Sequence, residues 1–170
     1  MAKEPAKRKK RPAYRAVTRT LKIFDALSEA TGEVDTLLEE MQEWQSNMED
    51  NSMEALPKYD EVSECVTNLE GVQSTLQDAE EPQPADKVLA ELEVTVTEMV
   101  PTDKRRTTSR ATRAGNAASS LEAVKEKLGE HAEALTEPDE VDYRSTLEEL
   151  AEKVGEAADE LQGIDFPGMF

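Results

Sequence analysis

Apolar residues recur every three or four positions along most of this chain, and this spacing strongly restricts how it can fold. One long stripe comprises Tyr14, Val17, Leu21, Phe24, Leu27, Val34, Leu37, Met41, Trp44 and Met48. Alternating steps of three and four place apolar side chains on one face of an α-helix, as in helical bundles and coiled coils. The stripe predicts a helix from Pro12 to about Asp50, roughly 57 Å long at 1.5 Å per residue, with a kink or break at Gly32.

Later segments repeat this pattern between proline-containing breaks. Their apolar positions are Tyr59, Val62, Val66, Leu69, Val72 and Leu76, then Leu121, Val124, Leu128 and Leu135, then Leu147, Leu150, Val154 and Leu161. We therefore predict a helical hairpin over 12–80, a linker at 81–86, a helical segment over 87–162 and a tail at 163–170. Thr102 is the predicted N-cap of the long central helix, and Gly163 is the predicted end of the last helix.

Residues 86–100 fit two structures. Val88, Leu92, Val96 and Met99 have helical spacing, whereas Val94-Thr95-Val96-Thr97 is typical of a short strand. A lone strand is unstable, and no partner strand is evident, so we predict a helix. The expected fold class is all-α, an elongated bundle or antiparallel coiled coil of four to five helices with a disordered basic N-terminal arm at residues 1–11.

Two of these segments are also similar to each other. Residues 121–135 and 147–161 align without gaps at an offset of 26, and the alignment pairs Gly129 with Gly155. A duplicated helix explains the similarity, but so does the general likeness of Glu/Lys-rich amphipathic helices. A glycine inside a helix costs up to ~1 kcal/mol relative to alanine, so the pair suggests a close helix approach or a shared point of flexibility.

Charge is divided sharply along the chain. The net charge is -18, yet residues 1–22 hold nine basic residues and one acidic residue, and 101–113 hold five basic and one acidic. Such runs neutralise phosphates or bind acidic surfaces. The candidate contacts with nucleic acid or an acidic surface are Lys3, Lys7, Arg8, Lys9, Lys10, Arg11, Arg15, Arg19, Lys104, Arg105, Arg106, Arg110 and Arg113.

Each basic segment also has a less specific interpretation. The N-terminal arm could bind nucleic acid, bind a protein partner, including another copy of this chain, or remain a solvated tail. Arg106, Arg110 and Arg113 share one face if the segment is helical. That face could hold phosphate, or it could pair with acidic helices of the same bundle.

The C-terminal tail is the second candidate site. Phe166, Pro167, Met169 and Phe170 form an apolar peptide that cannot continue a helix past the proline. Peptides of this kind dock aromatic side chains into a partner's groove. The alternative is that the tail folds back over the end of the bundle.

The sequence carries no recognisable catalytic motif. His131 and Cys65 are the only residues of their types, and the seven glycines form no phosphate-binding loop. We expect no cofactor, no metal and no small-molecule substrate. The N-terminus has no apolar run of a secretory signal, and no segment resembles a membrane span, so we expect a soluble intracellular protein.

The leading functional hypothesis is a non-enzymatic scaffold or adaptor of a larger complex, such as a virion or nucleoprotein assembly. Its basic arm would contact nucleic acid or an acidic surface, and its long helices favour protein partners and self-association. The alternative is an acidic regulator or DNA mimic that inhibits a basic partner. High acidity could also reflect a salt-rich cytoplasm.

Overall fold

Four helices form a bundle at the centre of the structure. The computed structural model describes residues 11–79 and 87–168. The bundle helices are α1 (Ile23–Asp50), α2 (Pro57–Gln77), α4 (Arg110–Ala134) and α5 (Val141–Gln162); a short α3 (Lys87–Glu91) and a 3₁₀ turn (Pro138–Glu140) lie in the connections. α1 packs on α2 and α4, and α5 packs on the same two helices. Each helix thus buries its apolar stripe against two neighbours.

The core consists largely of the residues that the spacing predicts. Leu37, Met41, Leu69, Leu128 and Leu147 are all fully buried. The first half of α4 is different, because its buried positions are small: Ala114, Ala117, Ala118 and Ser120. Small side chains let neighbouring backbone approach closely, and this part of α4 is where the remaining elements pack.

Those remaining elements are two strands that form an antiparallel pair. β1 (Tyr14–Lys22) pairs with β2 (Glu93–Pro101), in a register that sets Tyr14 opposite Pro101, Thr18 opposite Thr97 and Lys22 opposite Glu93. We call this pair the ribbon. Val94 and Val96 of β2 are buried against the bundle, and Leu21 of β1 packs partly against the same core. A two-stranded sheet is marginal alone, and here the bundle supports one of its faces.

The prediction of an all-α elongated bundle or antiparallel coiled coil is therefore wrong. Residues 14–22 and 93–101 are strands, and residues 14–22 are the partner strand that was not evident for residues 94–97. Both are rich in β-branched residues, which favour a pleated, half-buried surface. The predicted helix from Pro12 is shortened accordingly. α1 has 28 residues, about 42 Å, and it runs unbroken through Gly32.

Two predicted helix ends can be compared with the structure. The central helix begins at Arg110 rather than after Thr102, and its N-cap is Ser109, whose hydroxyl accepts a hydrogen bond from the Thr112 N–H. The strand and the loop that follows it occupy the residues between. Gly163 does end α5, as predicted.

The two similar segments lie on adjacent helices, α4 and α5, but their glycines have different surroundings. A Cβ built on Gly155 would lie 2.7 Å from Cδ of Lys125, whereas one built on Gly129 meets nothing within 4 Å. The Lys125 side chain therefore lies across Gly155. The close approach is one of side chain to backbone at a single glycine, and the second glycine does not share it.

Candidate functional site

Two basic segments that are distant in sequence meet at one end of the ribbon. Where β2 ends, the Thr102 hydroxyl donates a hydrogen bond of 2.7 Å to the Pro12 carbonyl, and the Thr102 N–H donates one of 3.0 Å to the Ala13 carbonyl. These bonds continue the pairing one step beyond the strands. They place the last residues of the N-terminal arm beside the loop over residues 102–109, which carries Lys104, Arg105 and Arg106.

The loop itself is held in place at both ends. Backbone N–H groups of Arg105 and Arg106 donate to the Asp103 carboxylate and carbonyl at 2.9 and 3.0 Å, which makes a tight turn. At the other end, hydrogen bonds from the hydroxyls of Ser109 and Thr112 to the Tyr14 phenol favour the phenolate and lower the pKa of Tyr14. The loop is thereby tied to the first residues of β1.

Five side chains form what we call the basic end. Arg11, Arg15, Lys104, Arg105 and Arg106 are all exposed, and within the described ranges none of them forms an ion pair. Uncompensated cations that share one surface attract polyanions and release counterions on binding. The basic end is therefore suited to phosphate or to an acidic surface.

Three other predicted contacts are neutralised inside the molecule. Arg19 of β1 bonds Glu29 of α1 and Glu98 of β2. Arg113 bonds Glu33 and Glu40, and Arg110 reaches Glu40 at 3.0 Å. Hydrogen bonds to Glu29 and Glu98 raise the pKa of Arg19. We call these three arginines and four glutamates the arginine–glutamate network. Its arginines join the ribbon and α4 to α1, so they are not free to bind phosphate.

One member of the network also touches the only tryptophan. The Arg110 guanidinium lies over the Trp44 ring, 5.5 Å from its centroid. Trp44 is half-buried at the edge of α1, where the sequence predicts a core residue. This cation–π contact fixes Arg110 further against the bundle.

The remaining predicted contacts of the arm are outside the described residues. Lys3, Lys7, Arg8, Lys9 and Lys10 precede Arg11 directly, so any charge they carry is attached to the basic end. Met169 and Phe170 of the tail also lie outside the described part.

The described part of the tail contacts the bundle. Ile164 is buried and Phe166 packs partly against the core. Phe166, Pro167 and Gly168 line one side of an open cleft of about 430 Å³, and residues 107–111 line another. The tail therefore runs back towards the N-terminus of α4. This contact corresponds to the fold-back alternative for Phe166, while the docking role of Pro167 stays a prediction.

The outer face of the ribbon is a feature that the sequence analysis missed. On this face Ala16, Thr18, Thr20, Thr95, Thr97 and Met99 are all exposed. Only the alternation of Val with Thr over residues 94–97 hinted at it, and that signal was outweighed by the helical spacing around it. The edge of β2 that does not pair with β1 is covered by Asn116 of α4. The Asn116 side-chain amide accepts a hydrogen bond of 2.7 Å from the Met99 N–H and donates one of 3.0 Å to the Met99 carbonyl.

Cys65 is the one cysteine of the chain, and it is buried. Burial raises the pKa of the Cys65 thiol to about 11, so this cysteine stays protonated at neutral pH. No group of three or more His, Cys, Asp or Glu side chains in the described ranges could hold a metal ion. Among those same residues, no helix has the length and apolarity to cross a membrane.

Comparisons with protein families, with curated proteins and with solved structures found no match to this chain. The residues and their geometry are thus the whole basis for a functional assignment.

Proposed function

We propose that this chain is a non-enzymatic assembly protein whose helical bundle is a scaffold and whose basic end binds nucleic acid. One observation carries the proposal. Two basic segments, about 90 residues apart in the chain, are joined by the Thr102 bonds into one exposed, uncompensated cationic surface. The chain has 38 acidic residues and a net charge of -18, and an exposed cationic surface on such a molecule is suited to bind an anionic partner.

The charges elsewhere in the molecule favour binding at this one site over nonspecific adhesion across the whole surface. α1 contains nine acidic residues and no basic residue, so most of the molecule repels a polyanion. Nucleic acid is therefore held only at the basic end, so the protein binds it in one orientation. A DNA mimic would not need this end, because the end attracts the very polymer that a mimic replaces.

The test is binding to nonspecific DNA and RNA across a salt series. The key variant replaces Lys104, Arg105 and Arg106 with glutamine. Its matched control replaces Lys127 of α4 and Arg144 and Lys153 of α5 with glutamine. These substitutions remove the same charge from positions outside the ribbon. We expect the key variant to bind more weakly, with a salt slope smaller by about 0.9 for each duplex phosphate that it no longer neutralises, and the control to bind like the natural protein.

A truncation completes the test, and the structure fixes where it must stop. Removing residues 1–22 would also delete β1 and so confound any result, whereas removing 1–10 leaves the ribbon whole. We expect the 11–170 chain to bind more weakly, as the loop variant does. Equal binding by the key variant and its control would overturn the proposal. Loss of binding to an acidic protein, with nucleic-acid binding absent throughout, would assign the basic end to a protein surface instead.

A further inference from the structure

The outer face of the ribbon is a neutral strip on a strongly acidic molecule. Its six exposed residues (Ala16, Thr18, Thr20, Thr95, Thr97 and Met99) carry no charge. The face has charged residues only where Lys22 lies opposite Glu93, at the end away from the basic end. Carboxylates are frequent elsewhere on the surface, so a polyanion meets less repulsion on this strip than on the helices.

Part of the negative charge beneath the strip is paired with arginines. Glu29, Glu33 and Glu40 of α1 and Glu98 of β2 are all bonded by the three arginines of the arginine–glutamate network. Ion pairing weakens the field of these four carboxylates, while the other six acidic residues of α1 lie outside the network. The network thus reduces the repulsion that phosphates meet at this face of the bundle.

The dimensions of the ribbon match one kind of nucleic acid. Two paired strands lie about 4.8 Å apart, and a two-stranded antiparallel ribbon fits the major groove of B-form DNA, which is about 12 Å wide. The major groove of A-form RNA is too deep and narrow for side chains to read. Tyr14 is the one aromatic residue that the register places on this face, and its phenol is held by Ser109 and Thr112 at the basic end, so the face has no row of rings on which successive single-stranded bases could stack.

From this juxtaposition we infer that the outer face of the ribbon lies in the major groove of double-stranded DNA, while the basic end holds the adjacent phosphates. This inference rests on the proposed function and adds to it the form of nucleic acid and the docking face. Threonine suits the position, because its hydroxyl can donate to or accept from base edges and its methyl group can contact the thymine methyl. The exposed hydroxyls of Thr18 and Thr97, which are opposite each other, lie at the centre of the contact.

The experiment compares duplex DNA, duplex RNA and single-stranded DNA of equal length as ligands of the full chain. The key variant is T18E/T97E, which places two carboxylates in the groove. Its control is T67E/T146E, which adds the same charge at exposed positions of α2 and α5. Because some ribbon variants could unfold, T18V/T97V is included: it removes the hydroxyls and keeps β-branched residues. Circular dichroism checks that each variant is folded.

We expect the full chain to prefer duplex DNA, and the duplex affinity of T18E/T97E to fall about tenfold or more, while the control stays close to the natural protein. T18V/T97V should show a smaller decrease, since it removes the hydroxyl groups alone. Guanine N7 lies in the major groove, so bound protein should also protect it from methylation by dimethyl sulfate.

Other outcomes separate this inference from the function beneath it. Equal affinity for all three ligands, with the two Glu variants alike, would overturn the groove contact and leave the basic end as a nucleic-acid site. No binding to any ligand would remove both proposals. A fall in molecular mass of T18E/T97E in sedimentation, with DNA affinity unchanged, would overturn the inference and assign the outer face to a second copy of this chain.

Discussion

Glu40 shows how one carboxylate of the acidic helix α1 binds two arginines of a basic segment. It accepts hydrogen bonds from both Arg110 and Arg113, at 3.0 and 2.7 Å. Burial disfavours its ionised form, but the two arginines outweigh burial and lower the pKa of Glu40 below its ordinary 4.5. The side chain therefore stays ionised in the fold under conditions where a free glutamate would begin to protonate.

This shift predicts a pH dependence of stability. A carboxyl with a lowered folded pKa contributes stability that is complete above about pH 4.5 and is lost as the pH falls through the folded pKa. Glu40→Gln should reduce the free energy of unfolding by about 1 kcal/mol at pH 7, an amount already discounted for solvent screening. The difference should shrink as the pH falls below about 4.5 and through the lowered pKa of Glu40, as followed by urea denaturation at several pH values.

The neighbouring residue supplies the control for Glu40. Glu39 is exposed on the same turn of α1, so Glu39→Gln removes the same charge from an acidic helix without touching the network. We expect it to leave stability unchanged or slightly raised at pH 7. Equal effects of the two substitutions would mean that the arginines do not stabilise the fold through Glu40.

At the scale of elements, the helices were predictable and the ribbon was not. The stripes of α2 and α5 predict which side chains are buried, because helical spacing is a local property. β1 was concealed by Arg19, which occupies an inward position between Val17 and Leu21 and so breaks the alternation of apolar and polar residues. That arginine faces inward only because Glu29 and Glu98 neutralise it, and no local pattern reveals such a contact.

The candidate site could likewise be predicted only in part. The sequence identifies Arg11, Arg15 and the 104–106 cluster as cationic, since charge can be read directly from composition. It cannot say that these segments meet, because their proximity depends on strand pairing between distant parts of the chain. It also cannot separate them from Arg110 and Arg113, whose partners are on another helix.

The matched helices α4 and α5 make a prediction through their glycines. Gly129→Ala should stabilise the fold by about 0.5 to 1 kcal/mol, because alanine is the better helix former and its methyl group enters open space. Gly155→Ala should gain less, since the Lys125 side chain must move aside to admit the Cβ. Denaturation midpoints measure both.

A double variant checks the physical reason for that difference. Adding Lys125→Ala to Gly155→Ala removes the obstructing side chain, so the benefit of the alanine, measured against Lys125→Ala alone, should approach that at Gly129. A large, equal gain at both glycines in the natural background would contradict the packing of Lys125 across α5.

For the whole molecule, charge affects stability and binding in opposite ways. Carboxylates on α1 and α5 repel one another, and salt shortens the range of that repulsion to about 10 Å at 0.1 M. We expect the melting temperature to rise between low salt and 0.5 M NaCl, while nucleic-acid affinity falls over the same range. Differential scanning calorimetry and a binding titration in matched buffers follow the two effects.

A charge-reduced variant makes that expectation specific. Glu149, Glu152 and Glu156 are exposed on α5, and replacing all three with glutamine should raise the melting temperature at low salt and flatten its dependence on salt. A melting temperature that is independent of salt in the natural protein would show that self-repulsion is unimportant.

The long-range pairing of the ribbon also sets an order of folding. β1 ends at Lys22 and β2 begins at Glu93, so the strands can pair only around the whole α1–α2 hairpin. Closing so long a loop costs entropy. The basic end therefore comes together only when the two strands pair. A chain caught earlier carries both basic segments, but they are apart.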